Sequence, residues 1–544
     1  MLNARRLFGL GLLCFCLALA DGAAGRPVPR DAVTAPQPGG TLVIKAYQTP
    51  FNPVFDPAVS SSQYFLIEQL FDGLVRFDNA FGIIPSLAEY WTISDDGKKI
   101  TFYLRRGVRF HHGREVTADD VKFSLERLIQ NRPGNTCYQY FTGKVVGAED
   151  YRQGKTAQVR GFRVLDRYTF EIQWTRPSAS GLYLLGMYYC KILPKDLVQA
   201  QGDGFFQKPV GTGPFKFSYW LRDERMLRLG PLGVRLEKNA DYFGKKPYVD
   251  ALEYSPNFTD DQFREGLVHI VPATPDRLLD RRLQILENDS LQSAFLAMSC
   301  HVPPLDRVEI RRALALGLDK EKLADAAYAS YSYPQVTQNF IPPLLPGFFP
   351  KDVPPVCDPQ QARMLLTRLL PETAGRLSLT LVFVLPRTDA FPGLSRELVR
   401  ELGAMGIEAN VRYLQNAEDI RGIRGPYLKF LAWDMAFPDP ENIIQPLFGA
   451  SSVINQLNAH YAAPRLDALL DQSEVETSWE RRTDLFRQME QILYEDIPAV
   501  PLYTERIRLA LQPEVRGARF PTLGFFFLDA KEIWLEKRRR DGAD

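Results

Sequence analysis

The sequence predicts an α/β fold, and three consecutive segments in its second half carry this prediction. Leu377 to Val384 is a continuous apolar run, typical of a strand that is buried on both faces. Leucines then recur at helical spacing from Leu394 to Met405, and Ile407 to Leu414 resumes strand character. A strand, a helix and a second strand in this order predict a parallel crossover.

Further elements are predicted along the whole chain from strand periodicity, capping residues and turn residues. Strands are predicted at Thr41 to Tyr47, Ile100 to Leu104, Tyr168 to Trp174 and Ile497 to Tyr503. Helices are predicted to begin at Thr117 (with Asp120), Asp306 (with Glu309), Asp358-Pro359 and Ser478. Pro209 to Phe215 holds two glycines and two prolines in seven residues, so we expect a tight backbone path there.

The composition is that of a globular protein without a strong electrostatic field. The 544 residues include 45% hydrophobic and 24% charged residues, and the formal net charge is +1. This length suggests about three or four domains. The balanced charge argues against a nucleic-acid partner, which would need an excess of basic residues.

Residues 1–20 have the pattern of a secretory signal peptide. Arg5 and Arg6 precede an apolar run from Leu7 to Leu19, and small residues surround Ala20. The run is too short to cross a bilayer comfortably, which takes about 20 residues. An uncleaved anchor and a lipoprotein acylated at Cys14 or Cys16 are the alternatives. We therefore expect a soluble periplasmic protein, with residues 21–40 as a flexible lead-in.

The sequence carries no signature of a metal site, a cofactor or a catalytic centre. The five histidines are scattered, apart from His111 and His112, whose side chains should diverge. The segment from Gly449 to Val453 misses the last glycine of a nucleophile elbow, and the metalloprotease pattern His-Glu-x-x-His is absent. The four cysteines after the signal peptide allow three disulfide connectivities, among which the sequence does not choose.

An ordered series of motifs resembles one family, the large solute-binding proteins of ABC importers for oligopeptides, dipeptides, nickel complexes and related solutes (bacterial family 5). The motifs are Trp91 to Gly97, Thr101 to Gly113, Thr117 to Val121, Pro209 to Phe215, Asn239 to Gly244, Arg311 to Asp319, Asp358-Pro359, Asp439-Pro440 and Pro498 to Tyr503. Any one of these motifs is weak evidence. Their common order over residues 40–505 makes the resemblance specific.

The resemblance implies a two-lobed periplasmic-binding-protein clamshell of the large type II, with an additional subdomain on lobe I. Lobe I would combine residues 41–72, 205–293 and 505–544. The additional subdomain would span 73–204, and lobe II would span 294–504. If the chain passes between the lobes more than once, several strands should form the hinge.

The resemblance also implies where a ligand would lie. The segment around Trp433, Asp434, Ala436, Phe437 and Asp439 looks like the loop of lobe II that lines the cleft of the family. Peptide-binding members hold the α-amino group with an aspartate three positions before the Asp-Pro pair, and here that position is Ala436. Asp434 is the candidate substitute, Trp433 is a candidate stacking residue, and Asp439 is expected to close a turn.

Other candidate ligand contacts lie on both sides of the expected cleft. Arg387 follows the buried strand, where related dipeptide binders place an arginine that pairs with a carboxylate. Phe51, Asn52, Gln63 and Tyr64 are expected to line the wall of lobe I.

The resemblance predicts a monomeric, non-enzymatic binding protein that captures a peptide-like or other small organic solute and delivers it to ABC permease subunits. Ligand binding would stabilise the closed state, because only that state contacts the ligand from both lobes. The alternatives are a sensing or chaperone-like binding protein without uptake and, from another class, a secreted hydrolase. Capped peptides, opines, sugars and metal chelates remain open as ligands.

Overall fold

The fold is known from a computed structural model. It describes residues 35–46, 51–59, 64–78, 81–135, 137–222, 230–327, 332–345, 356–384, 391–435, 437–520 and 528–537. The expected signal peptide, most of the lead-in, Gln63, Arg387 and Ala436 lie outside the described residues.

The described residues form nineteen strands and fifteen α-helices. The strands are β1 Thr41–Lys45, β2 Val75–Phe77, β3 Ile83–Pro85, β4 Ala88–Ile93, β5 Lys99–Leu104, β6 Phe162–Asp166, β7 Thr169–Gln173, β8 Phe215–Leu221, β9 Gly233–Lys238, β10 Ala251–Ser255, β11 Ile270–Pro272, β12 Gln284–Met298, β13 Ser332–Val336, β14 Leu377–Val384, β15 Ile407–Leu414, β16 Tyr427–Asp434, β17 Ala499–Leu511, β18 Val515–Arg516 and β19 Trp534–Leu535. The helices are α1 Tyr64–Leu70, α2 Ala118–Ile129, α3 Ala148–Arg152, α4 Gly181–Leu185, α5 Lys195–Gln201, α6 Asp260–Arg264, α7 Pro275–Leu279, α8 Val308–Leu316, α9 Lys320–Ala327, α10 Pro359–Leu369, α11 Phe391–Ala404, α12 Glu441–Phe448, α13 Val453–Gln456, α14 Pro464–Val475 and α15 Trp479–Asp496.

One eleven-stranded mixed sheet runs through both halves of the molecule, in the order β15-β14-β16-β12-β17-β11-β1-β10-β9-β8, with β13 added beside β17. Its two longest strands, β12 and β17, are antiparallel partners. Their register shifts between Asp289, which faces Arg506, and Ser293, which faces Thr504. β12 pairs with β16 beyond this bulge, and β17 pairs with β11 on its other side. The chain therefore crosses between the halves in strands, as expected for a hinge.

Separate apolar cores lie on the two sides of the bulge, as a two-lobed fold requires. One core is built mainly from segments 42–71, 193–270 and 509–533, which we call the first lobe. Two more cores are built mainly from residues 291–503, the second lobe, and one of them also contains Phe81. A further core, built mainly from residues 74–192 together with Ala58 and Phe437, defines the inserted subdomain, which holds the small sheet β4-β5-β7-β6.

The predicted parallel crossover is confirmed in the second lobe. β14 pairs with β15 in parallel from Leu377 opposite Ile407 to Val384 opposite Leu414, and α11 connects them. The leucine stripe of α11 is buried. β14 itself is less covered than expected, because Ser378 is exposed at its start.

Of the four capping predictions, those at Thr117, Asp358 and Ser478 are confirmed and the one at Asp306 is wrong. Thr117 and Asp120 form a capping box at α2, and the Asp358 carboxylate accepts from the Gln361 amide at 2.8 Å. Helix α8, however, has Arg307 at its N-cap and begins at Val308. Asp306 therefore lies one position too early to cap it.

The expected tight path between Pro209 and Phe215 is a close backbone approach to the end of α1. A Cβ atom on Gly211 would lie 1.9 Å from the Leu70 carbonyl oxygen, and one on Gly213 would lie 2.4 Å from the Gln69 carbonyl oxygen. Only glycine fits at these two positions without displacing backbone.

The cysteines and the paired histidines have structural surroundings. Cys137, Cys190, Cys300 and Cys357 are all free thiols. His111 faces the Gly211 to Gly213 loop, whereas His112 lies 3.7 Å from an Asp196 oxygen, so the two side chains diverge as predicted. No helix of the described residues has the length and apolar character that crossing a membrane requires.

Candidate ligand-binding site

Five aromatic side chains form a continuous row from the first lobe through the inserted subdomain to the second lobe, which we call the aromatic row. The Tyr188 hydroxyl donates to the Tyr64 hydroxyl at 3.0 Å, and their ring centroids lie 3.6 Å apart. Tyr188 meets Tyr189 edge to face at 5.0 Å, and Tyr189 stacks on Tyr140 at 5.5 Å. Tyr140 then contacts Phe437 edge to face at 6.2 Å.

The elements that carry the aromatic row fix its ends in two different cores. Tyr64 is the first residue of α1, whose buried face packs in the core of the first lobe. Phe437 follows β16 in the second lobe, yet its ring is only 4% exposed and belongs to the core of the inserted subdomain. A single ring therefore ties the loop after β16 to the subdomain.

Burial raises the pKa of three hydroxyl groups of the aromatic row, those of Tyr140, Tyr188 and Tyr189. The Tyr140 hydroxyl also interacts with the Asn442 side chain. The Tyr189 hydroxyl is buried and has no hydrogen-bond partner among the described residues. Tyr189 and Phe437 are buried, whereas Tyr64, Tyr140 and Tyr188 are half-buried and leave part of their aromatic surface for apolar groups of an organic ligand.

A cluster of charges lies beside Phe437 and joins the same two parts of the molecule. Lys144 Nζ of the subdomain lies 2.6 Å from Glu441 Oε1 and 3.4 Å from Glu474 Oε1 in the second lobe. Arg482 bridges Glu441, at 3.2 Å, and both oxygens of Asp439. Burial opposes the charge on Lys144, but the two glutamates outweigh it and raise its pKa. Burial likewise opposes the charge on Glu441, but Lys144 and Arg482 lower its pKa.

Two more contacts close this side of the molecule. Arg176 of the subdomain pairs with Glu474 of α14, and the Ala179 amide donates to the Glu474 carbonyl at 3.1 Å. The subdomain and the second lobe are therefore in direct polar and apolar contact.

The candidate residues of the second lobe have different surroundings. The Trp433 indole donates to the Asn442 carbonyl at 2.7 Å, so this half-buried ring is anchored to α12. Asp434 is exposed at the end of β16, opposite Gln292 of β12. Asp439 is fully buried, and one of its oxygens also accepts from the Glu441 amide at 2.9 Å. Because Arg482 and this amide engage its carboxylate, Asp439 serves the turn before α12 and offers no exposed oxygen to a solute.

Of the candidate residues of the first lobe that the structure describes, one belongs to the aromatic row and two have other contacts. Tyr64 begins the aromatic row, as described above. Phe51 is half-buried against Phe55 and Trp220, with centroid distances of 6.4 and 6.0 Å. The Asn52 side chain accepts from the Val54 amide at 3.1 Å, which holds its own turn.

Sequence reasoning missed most of the aromatic row and the charge cluster. Tyr140, Tyr188 and Tyr189 lie in the inserted subdomain, where no candidate ligand contact was predicted. The available signal was the density of tyrosines in two short segments, Cys137 to Tyr140 and Tyr188-Tyr189. Among the residues that the structure describes, no group of three or more His, Cys, Asp or Glu side chains is placed to hold a metal ion.

Comparison with known proteins gives consistent matches over most of the chain. Residues 82–455 match the family described as bacterial extracellular solute-binding proteins, family 5. The chain is 30% identical over 499 residues to "Probable di/tripeptide-binding protein 5" of Pseudomonas aeruginosa, covering 84% of this chain and 88% of that protein. It is 27% identical to "Di/tripeptide-binding protein 1" of the same organism, covering 84% and 87%.

A solved structure confirms the fold independently of close sequence similarity. The structure titled "Clavulanic acid biosynthesis oligopeptide binding protein 2" superposes with a TM-score of 0.78 at 23% identity, covering 92% of this chain and 96% of that one. At this identity the likeness shows the two-lobed architecture alone.

Proposed function

Because this chain belongs to the bacterial extracellular solute-binding proteins of family 5, we propose that it binds a small peptide-like solute between its two lobes and delivers it to the permease of an ABC importer. The aromatic row carries this proposal, since it joins both lobes at the loop that the sequence identified. The names of the two Pseudomonas relatives support di- and tripeptides as the ligand class.

The proposed division of the chain follows the apolar cores except over residues 193–204, which the division assigns to the subdomain although Leu193 and Val198 pack in the core of the first lobe. Lobe I comprises residues 41–72, 205–293 and 505–544, the inserted subdomain 73–204, and lobe II 294–504. The bulge between Asp289 and Ser293 lies beside the boundary at 293/294 and supports its position. The proposed location is the periplasm, after cleavage of residues 1–20.

Recognition of the ligand's amino end is proposed to differ from that of peptide binders with an aspartate at the position of Ala436. A carboxylate there would make a charge-assisted hydrogen bond to an ammonium group. Without it, the aromatic row supplies apolar contact, and Asp434 is the nearest exposed carboxylate in the chain sequence. Because Asp434 is solvent-exposed, its ion pair with the amino group would be screened, so blocking the amino group should cost less affinity than a buried carboxylate at position 436 would make it cost.

Native mass spectrometry of the mature protein purified from cells tests the ligand class directly. A co-purified di- or tripeptide supports the proposal. Thermal unfolding with matched peptides then compares free and N-acetylated forms. Stabilisation by neither form, over a panel of di- and tripeptides, contradicts a peptide-like ligand.

Two variants test the loop after β16. Trp433→Ala and Asp434→Ala should each reduce ligand-induced thermal stabilisation, and Glu480→Ala in the first turn of α15 is the control. If both variants keep the full stabilisation, these two side chains do not contact the ligand. Intact peptide after long incubation is expected, because the family consists of binding proteins; hydrolysis by the pure protein would favour the enzyme alternative.

A further inference from the structure

A polar cavity lies beside α1, about one helical turn beyond Tyr64 of the aromatic row. Its volume is about 490 Å³, which falls within the range of small-molecule sites. Glu68, Gln69 and Asp72 line it from the first lobe, Arg76 and Lys191 from the subdomain, and Asp529 and Lys531 from the C-terminal segment. The walls thus come from three separate stretches of the chain.

One buried atom of this cavity lacks a hydrogen bond. Gln69 is 2% exposed, and its Nε2 donates to the carbonyls of Phe65, at 3.2 Å, and Leu528, at 3.1 Å. Its Oε1 is buried and has no partner among the described residues. A buried acceptor without a donor is destabilising, so a ligand N–H group that reached Gln69 Oε1 would bind there favourably.

The charges around Gln69 favour a cation. Lys191 Nζ pairs with Glu68 at 2.8 Å, and Lys531 pairs with Asp529. Within the part of the chain that the structure describes, Asp72 accepts hydrogen bonds from two neutral donors only, Tyr242 at 3.0 Å and Thr212 at 2.9 Å. Burial raises the pKa of Asp72, and burial together with Asp72 and Asp529 raises that of Glu68. Three carboxylates therefore face two ammonium groups.

At the rim of the cavity, positive groups outnumber negative ones. Lys245 pairs with Glu532, and its ammonium lies 4.9 Å above the Tyr248 ring. Arg76 and Arg519 are exposed and line the cavity without an ion-pair partner in the described part of the chain. Two guanidinium groups at an opening suit a carboxylate or another anion.

We propose that this cavity is a second ligand site, which binds a small zwitterion with its primary ammonium group at Gln69 and Asp72 and its anionic group at Arg76 and Arg519. The site is separate from the aromatic row, since none of the five residues of the row lines the cavity. We expect it to bind molecules in which the ammonium group and the anionic group are separated by several bonds.

Calorimetric titration of the full mature chain with three six-carbon probes tests this proposal. 6-Aminohexanoate carries both charges, hexylamine only the ammonium group and hexanoate only the carboxylate. We expect 6-aminohexanoate to bind at least tenfold more tightly than hexylamine and hexanoate not to bind. Absence of binding by 6-aminohexanoate at millimolar concentration, or equal binding of hexanoate, overturns the proposal.

Variants locate the binding. Asp72→Asn retains a similar shape and an acceptor for Thr212 but removes the charge, and it should weaken 6-aminohexanoate at least tenfold. Gln69→Met should weaken it in the same direction. Asp150→Asn, an acidic position far from the cavity lining, should bind as the unsubstituted protein does. Binding that is unchanged in Asp72→Asn and Gln69→Met overturns the proposal, and circular dichroism confirms that each variant is folded.

Should Asp72→Asn fail to fold, Arg76→Gln tests the rim, because Arg76 is exposed and makes no ion pair among the described residues. It should weaken 6-aminohexanoate but leave hexylamine unchanged. Equal affinity of 6-aminohexanoate for this variant and the unsubstituted protein overturns the assignment of the anionic end.

Discussion

Lys144 of the inserted subdomain and Glu441 of α12 are 297 residues apart in the sequence, and their side chains meet at 2.6 Å. Glu474 and Arg482 extend this contact on the side of the second lobe. The contact joins two parts that a binding protein of this fold moves relative to each other. It therefore stabilises, without any ligand, the arrangement of the subdomain against the second lobe that the structure shows.

Replacing Lys144 by methionine should shift the protein toward the open state. Methionine keeps an unbranched apolar stem but removes the charge, while Glu441 keeps its bond to Arg482. We expect ligand affinity to fall about five- to thirtyfold, which corresponds to about 1–2 kcal/mol. Calorimetry gives the affinity, and small-angle scattering gives the radius of gyration without ligand.

The matched control is Lys155→Met, which changes an exposed lysine of the same subdomain. It should leave both measurements unchanged. An unchanged affinity and radius of gyration in Lys144→Met would show that the contact does not influence closure.

The local elements were predictable because the spacing of apolar residues within each segment indicates its secondary structure. The β14, α11 and β15 segments have boundaries close to those read from the continuous apolar run, the helical leucine spacing and the strand character that follows, and Ser478 and Asp358 occupy their predicted caps. Helix α8 begins one residue later than predicted. Of the two neighbouring residues Asp306 and Arg307, N-cap propensity alone favoured the aspartate, but Arg307 occupies the N-cap.

The candidate site was less predictable, because its contacts join distant parts of the chain. The Tyr140 and Phe437 rings meet only through the closure of the second lobe on the subdomain. No periodicity encodes such a contact. Asp439 was correctly expected at a turn, but its burial against Arg482 depends on α15, which begins forty residues later.

Loss of the hydroxyl group should affect thermal stability differently at the two neighbouring tyrosines of the aromatic row, Tyr188 and Tyr189. Tyr189→Phe removes a buried hydroxyl that has no partner among the described residues, so the thermal midpoint should stay unchanged or rise. Tyr188→Phe removes the donor of the 3.0 Å bond to Tyr64 and should destabilise by about 0.5–1.5 kcal/mol. Thermal unfolding of both variants checks this pair, and a lower midpoint for Tyr189→Phe than for Tyr188→Phe would contradict it.

Stability should fall in mild acid because of His111. Burial lowers the pKa of His111 to about 4 from an ordinary value of 6.5. Its Nδ1 accepts from the Gly211 amide at 3.1 Å, which requires the neutral ring. Between pH 6.5 and 4, His111 is protonated in the unfolded chain but stays neutral in the folded protein. This contribution is therefore complete above pH 6.5 and is lost as the pH falls toward 4.

The measurement is chemical unfolding of the protein and of His111→Gln between pH 4 and 7.5. We expect the free energy of unfolding to fall by about 1–3 kcal/mol more in the unsubstituted protein than in the variant over this interval. Parallel pH profiles would mean that His111 is protonated as easily in the folded protein as in the unfolded chain.

The Pro209 to Phe215 loop should tolerate no side chain at Gly211. A Cβ atom there would meet the Leu70 carbonyl oxygen at 1.9 Å and the Phe71 ring at 2.7 Å. The carbonyl belongs to the backbone at the end of α1 and cannot swing away as a flexible side chain would. Gly211→Ala should therefore destabilise by about 2–4 kcal/mol.

Gly204→Ala provides the control for this loop, because nothing lies within 4 Å of a Cβ atom at that position. It should change stability by less than about 0.5 kcal/mol. Because α1 carries both Tyr64 and Gln69, displacement of its end by Gly211→Ala should also weaken ligand binding at the aromatic row. Equal thermal midpoints for the two alanine variants would show that the loop can move away from α1, and the close approach would then not be what requires glycine.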